Sequence, residues 1–361
     1  MIYRAIGLMS GSSLDGLDIV FAILEEQGGK WTYEINKAAC YPYPPEWNDR
    51  LITATELPAR DYLLLHSAYG NYLGEQVNRF IAENNLQYQV GLVASHGHTT
   101  FHLPSERMTA QLGDGAAIAA ATGLPVVTDL RAMDVALGGQ GAPIVPMGEK
   151  MLLAGYDYFL NLGGIANISS AAGNENDFIA FDICPANRVL NMLAADAGQE
   201  YDKDGMMAAA GIVQESLLAQ LNELEYYKQP WPKSLANTFG TDVIYPLIKQ
   251  HGCTIPDALA TLTEHIAVQV PAAVTALHHG PGKLLCTGGG AHNDFLVKRL
   301  REKLAPAGVE AIVPDASLVD YKEALVMAFL GILRWRQEAT TLASVTGAKR
   351  NSVGGSLWNG E

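Results

Sequence analysis

The stretch from Gly7 to Asp18 (Gly-Leu-Met-Ser-Gly-Ser-Ser-Leu-Asp-Gly-Leu-Asp) constrains this chain most, because it sets a polar, glycine-containing turn between two apolar runs. Tyr3-Arg-Ala-Ile6 precedes it and Ile19-Val-Phe-Ala-Ile-Leu24 follows, so the segment reads as strand, turn, strand. Gly11 and Gly16 allow a positive φ, which lets consecutive N–H groups converge on an anion. Ser10, Ser12 and Ser13 add hydroxyl donors, and Asp15 and Asp18 bring the charge to hold a magnesium ion or its water shell. An ordinary hairpin turn with solvated polar residues has the same composition. The loop is neither a lysine-bearing Walker loop nor a dinucleotide fingerprint, since both open into a helix.

The remaining chain limits the choices. Its 361 residues are expected to form two domains, and 48% hydrophobic with 17% charged residues gives each a substantial core. A formal charge of −14 argues against a general binder of nucleic acid or anionic membrane. Cys40, Cys184, Cys253 and Cys286 form no CxxC pair, so reduced thiols in a cytoplasmic protein are expected. Met1-Ile-Tyr-Arg has no secretory-leader pattern, and the small-apolar run from Ala116 to Val127 is too short to span a bilayer.

Along the chain, Trp31–Asn36 alternates as a third strand, and Glu46–Ala54 reads as a helix. A long amphipathic helix is expected over Asp61–Asn84, capped by Asp61. Gly91–Ser95 reads as a buried strand delivering His96-Gly-His-Thr99, where alternation would put His96 and His98 on one face. No carboxylate or cysteine nearby completes a metal-ligand set with them. A hairpin returns through Thr109–Leu112, a helix runs from Gly113 to Thr122, and Leu124–Asp129 is a strand. The run from Ala136 to Pro143 (Ala-Leu-Gly-Gly-Gln-Gly-Ala-Pro) is the best candidate for the crossing between domains, with the glycine content of a hinge.

The second half repeats the opening device: the strand Tyr156–Asn161, a Gly163-Gly164 turn, then Ile165–Ser169. Phe178–Asp182 is a strand ending in a carboxylate, and a helix follows to Ala197. The patterns from Asp204 to His279 are mostly helical. Lys283–Thr287 enters the turn Gly288-Gly289-Gly290, followed by a helix to Leu304, a strand at 309–313 and a helix over Glu323–Arg336. Residues 344–357 read as an extended return pass.

Phosphate turns between strands, with a later Gly-Gly-Gly turn beneath the adenosine, resemble the actin and sugar-kinase ATPase superfamily. The opening loop, Ser95–Thr99, Ala136–Pro143, Asn161–Asn167 (Asn-Leu-Gly-Gly-Ile-Ala-Asn), Tyr201–Asp204, Cys286–Gly290 and Ser344–Ala348 together resemble the anhydro-N-acetylmuramic acid kinases, from residue 2 nearly to the C-terminus. The resemblance implies an α/β fold of two actin-like (ribonuclease H-like) lobes, with mixed sheets flanking an ATP and sugar cleft. The lobes are expected at 1–136 and 137–342, with 343–361 packing back on the first.

It also implies ATP with magnesium, and conversion of 1,6-anhydro-N-acetylmuramic acid to N-acetylmuramic acid 6-phosphate in peptidoglycan recycling. By resemblance Asp182 is the general base; read from the residues alone, it is as well explained as a helix N-cap. Gly11, Ser12, Ser13, Leu14, Asp15, Gly16, Leu17 and Asp18, with Gly163, Gly164, Asn167, Gly288, Gly289 and Gly290, are expected at ATP. Thr99, Arg131, Asp134 and Glu323 are expected at the sugar, although a glutamate near a helix start, as Glu323 is read, is most often a capping residue. No resident metal site, nucleic acid or membrane partner is expected, and relatives of this kind are often homodimers. Two departures stand out. Ala132 falls where the family often places a sugar-contacting arginine, which keeps a kinase for levoglucosan as an alternative, and Leu235 to Thr238 depart from the usual Thr-Gly-Arg-Glu. A nucleotide or sugar sensor without catalysis is the alternative of another class.

Overall fold

The computed structural model describes residues 1–11, 14–171, 178–236, 238–277 and 280–360. The expectations for Ser12 and Ser13 lie outside the described residues. The chain divides into two units, one formed by Met1–Leu153 with Tyr321–Glu361 and the other by Ala154–Asp320. The run 136–143, expected as a crossing, lies inside the first unit.

The first unit carries β1 (Ile2–Ser10), β2 (Leu17–Gln27), β3 (Lys30–Tyr41), β4 (Leu92–Ser95), β5 (His98–Leu103), β6 (Met108–Leu112) and β7 (Val126–Thr128). The second carries β8 (Tyr158–Leu162), β9 (Ile165–Ala171), β10 (Phe178–Pro185), β11 (Gly282–Thr287) and β12 (Val309–Ile312), and β13 (Ser356–Trp358) belongs again to the first. The main sheets are ordered β13-β7-β4-β1-β2-β3 and β10-β9-β8-β11-β12. In each, the first three strands form an antiparallel meander and the next two add parallel to its first strand. The same order arises twice, so the repeated strand–glycine turn–strand device marks two lobes of one topology. This is the mixed-sheet, ribonuclease H-like arrangement expected.

Burial of the strands follows from their neighbours. Ile6, Leu8, Ile19 and Phe21 share a core with Leu65, Tyr69, Leu73, Val77 and Phe80 of the helix Ala59–Glu83. Their spacing repeats one helical face. That helix begins two residues before the expected Asp61, after Pro58, and has no side-chain cap. Its Gly70 and Gly74 let the helix Gly115–Thr122 approach closely; a Cβ on Gly74 would stand 2.6 Å from that of Ala121. The second core joins Leu160, Ile168 and Ile183 to the helix Ile255–Ala276 through Leu262, Ile266 and Val270. No helix among the described residues is long and apolar enough to cross a membrane.

Two C-terminal expectations change. The helix expected over Glu323–Arg336 is Ala316–Trp335, because Asp315 bonds the N–H of Leu318 through its side chain and starts the helix earlier. Glu323 is therefore mid-helix and does not cap. The return pass contains the short helix Ala343–Thr346 before β13, which pairs antiparallel with β7.

Candidate active site

In the second unit β10 is an edge strand, whose outer backbone groups need partners. Register slips between Asp182 and Cys184, leaving Ile183 as the extra residue of a bulge. Bulges re-aim side chains. The segment 233–235 fills the edge: the Asp182 N–H donates to the Lys233 carbonyl at 3.1 Å. Asp182 Oδ2 accepts from the Leu235 N–H at 2.8 Å and from the Ser234 hydroxyl at 3.0 Å. The Tyr226 hydroxyl donates to the Asp182 carbonyl at 2.6 Å, and Lys233 Nζ donates to the Tyr226 carbonyl at 3.2 Å.

Partial burial raises the Asp182 carboxyl above the usual carboxylate range, and the Leu235 and Ser234 bonds pull it back. Both bonds fall on one oxygen, leaving Oδ1 without a partner among the described residues. The N-cap reading of Asp182 is excluded, because Ala186 occupies that position and makes no side-chain cap. The departure at Leu235 also acquires a reason to be tolerated: its contact with Asp182 is a backbone N–H, which any residue but proline supplies.

The Ser234 bond gives a pH test. Its loss in Ser234→Ala removes one influence that lowers the Asp182 pKa, so the acid limb of the kcat/KM profile should move to higher pH. Ser234→Thr should keep the wild-type limb. An unchanged limb in the alanine variant would mean that the hydroxyl does not act on Asp182.

The Gly163–Gly164 turn lies between β8 and β9. Its carbonyls accept from the N–H groups of Asn187, Ala186 and Arg188. Neither glycine N–H has an acceptor among the described residues. Asn187 Nδ2 donates to the Leu162 carbonyl at 2.8 Å, and a Cβ on Gly290 would stand 2.7 Å from that of Leu162. The structure thus brings Gly163, Gly164, Gly288 and Gly290 around Leu162. Gly288 needs its glycine, with φ +81°. Asn167 lies opposite Asp182 in the β9–β10 register.

In the first unit the opening turn differs from its expected form. Leu14, not Gly16, takes the left-handed conformation (φ 59°). Gly16 is required for space, since a Cβ there would be 2.7 Å from Cys40 Sγ and 2.8 Å from the Tyr41 carbonyl. Asp15 is exposed, Leu17 is buried at the start of β2, and Asp18 lies beside it on that strand.

The sugar candidates fall into two groups. Thr99, Arg131 and Glu323 border a cavity of about 330 Å³ with His96, His98 and Met327. Arg131 Nε donates to the Gly141 carbonyl at 2.8 Å, one terminal nitrogen donates to Thr99 Oγ1 at 3.0 Å, and the other meets the His102 ring at 3.3 Å. Burial lowers its pKa to about 10, which leaves it charged at neutral pH. His96 and His98 are not strand neighbours: His96 precedes β5, and Gly97 between them has φ +73°. The His96 Nδ1–H donates to the Gly97 carbonyl at 2.9 Å, so its Nε2 carries the lone pair, and burial lowers its pKa to about 4. Burial raises the Glu323 carboxyl.

Asp134 instead holds the fold. It is fully buried, one oxygen accepts from the Gly141 N–H at 2.8 Å, and the other accepts from the Thr346 hydroxyl at 2.8 Å. It ties the glycine loop to the C-terminal segment.

The model of the anhydro-N-acetylmuramic acid kinase family matches residues 3–360. The chain belongs to this family. An anhydro-N-acetylmuramic acid kinase of Paramagnetospirillum magneticum is 35% identical, covering 97% of this chain and 98% of the relative. One of Salinibacter ruber is 37% identical over 98% and 95%, and one of Streptomyces coelicolor is 37% identical over 99% and 94%. Members of this kinase family are phosphotransferases, and the chain is an enzyme of that class.

Sequence reasoning missed Ser234 and Arg188. Arg188 is the second residue of the helix Asn187–Asp196, and its buried Nε has no hydrogen-bond partner among the described residues. Its only sequence signal is a basic residue in a helix first turn, where acidic residues are preferred.

Proposed function

We infer that this protein is an ATP-dependent kinase that opens the 1,6-anhydro ring of anhydro-N-acetylmuramic acid with water and phosphorylates O6, giving N-acetylmuramic acid 6-phosphate. The nearly full-length family match carries the reading. The held carboxylate of Asp182 supports its role as general base: Oδ2 is fixed by the 234–235 segment, and Oδ1 takes the proton. Water forms a bond to the anomeric carbon and gives its proton to Asp182. The bond from that carbon to O6 breaks, O6 bonds the γ-phosphorus, and ADP departs. Asp182 then returns the proton to solvent.

The N–H groups of Gly163 and Gly164, without acceptors among the described residues, fit phosphate oxygens. The Gly288–Gly290 turn is assigned to the adenosine, and the 11–18 loop with Asn167 to the phosphates. Asp15, exposed and without a partner among the described residues, fits a magnesium ion or its water shell, and Asp18 follows on β2. Magnesium would neutralise charge on the phosphoryl oxygens. Thr99, Arg131 and Glu323 are assigned to the sugar, while Asp134 positions the loop carrying Gly141.

The test is mass detection of products after incubation with magnesium-ATP and either anhydro-N-acetylmuramic acid or levoglucosan. A ring-opened muramic acid 6-phosphate is expected. Turnover of levoglucosan alone would transfer the reading to a simpler anhydrosugar, and binding of both ligands without turnover would make the protein a sensor.

A further inference from the structure

We propose that Arg188 binds the terminal phosphate of the nucleotide, as a fork over the Gly163–Gly164 turn. This rests on the reading that the protein uses ATP. A Cβ built on Gly164 would stand 3.7 Å from both Cβ and Nε of Arg188, so the guanidinium stem lies against the turn. Nε is buried without a hydrogen-bond partner, and Arg188 makes no ion pair or hydrogen bond through its side chain among the described residues. Arg188 as a whole is half-buried, so it is the Nε–H that is cut off from water, and a buried donor left unpaired is costly.

The surroundings sharpen the demand for an anion. Arg188 stands in the first turn of a ten-residue helix, where the helix dipole already presents positive charge. The carbonyls of Gly163 and Gly164 are occupied by backbone N–H groups, while their own N–H groups have no acceptor among the described residues. Asp182, six residues earlier, has its bonds to Ser234 and Leu235 and makes no ion pair with Arg188. The turn therefore offers donors and positive charge without a matching acceptor. A phosphoryl group supplies that acceptor, and the planar guanidinium suits two of its oxygens.

The experiment is calorimetric titration of the full-length protein with adenosine, magnesium-ADP, a non-hydrolysable magnesium-ATP analogue and muramic acid 6-phosphate. Arg188→Met should weaken the triphosphate analogue about tenfold to a hundredfold and leave adenosine unchanged. Arg188→Lys should recover part of the loss, since lysine restores charge but not the fork. Without nucleotide, the methionine variant should melt no lower than wild type, because no partner is lost. A selective loss for the sugar phosphate would assign Arg188 to the product and overturn the nucleotide assignment. Equal binding of every ligand by wild type and Arg188→Met would overturn the proposal alone. Failure of wild type to bind nucleotide would overturn the kinase reading beneath it.

Discussion

Replacing Asp182 by Asn should lower kcat by about 10²–10⁴-fold, the usual contribution of a positioned general base. The amide can keep accepting from Ser234 and the Leu235 N–H through its oxygen, so the local bonding need not collapse. What it loses is the ability to take a proton from water. Nucleotide and sugar affinities should accordingly change little, and the ring-opened phosphate should fall in step with kcat. The acid limb of the wild-type profile should lie above that of an ordinary aspartate, because burial raises the pKa, and it should vanish from any residual activity of the variant. Full turnover by Asp182→Asn would remove this carboxylate from the chemistry.

The largest stability effect is expected at Lys322. Its Nζ lies 2.6 Å from Glu149 Oε1, with the side chains only 3% and 5% exposed. Removing one member of such a pair leaves the other charge buried, typically costing about 3–5 kcal/mol. Lys322→Met should therefore lower the denaturant midpoint markedly, whereas Lys322→Met with Glu149→Met should recover most of the loss. The pair joins the helices Val145–Leu152 and Ala316–Trp335, which also approach closely at Gly148 and Val326. Ile144 and Val145 border the same cavity as Glu323, so the single variant should also raise KM for the sugar. An unchanged midpoint in Lys322→Met would show that the charges are solvated.

The strand–turn–strand units and the Gly-Gly-Gly turn were legible because side-chain pattern and glycine placement encode them, whereas the strand expected to end at Asp182 continues to Pro185 through a bulge that no residue pattern announces. The reason for Gly16 was not legible either: the sequence offers a permissive backbone, whereas the structure uses the missing Cβ to pass Cys40 and Tyr41. Asp61 looked like a helix cap, yet Pro58 sets the entry geometry without one. The hold on Asp182 was hidden for another reason. Its donors come from 52 and 53 residues away, and one is a backbone N–H that carries no side-chain signature. Arg188 was hidden by its ordinariness, since only the lack of a hydrogen-bond partner for its buried Nε among the described residues distinguishes it. The motif position of Asp134 suggests a ligand, while its structural ties to Thr346 and Gly141 come from segments that no local pattern connects.

The return of β13 to β7 has a consequence for biosynthesis. The first unit needs residues from both ends of the chain, including Thr346 against Asp134 and Trp358 against Thr128. All of Ala154–Asp320 is translated before those closing residues emerge. The inserted unit can complete its sheet on the ribosome, while the earlier-made unit waits with β7 lacking its outer neighbour. The sheet of the first unit therefore closes only with residues made after the whole of the second unit.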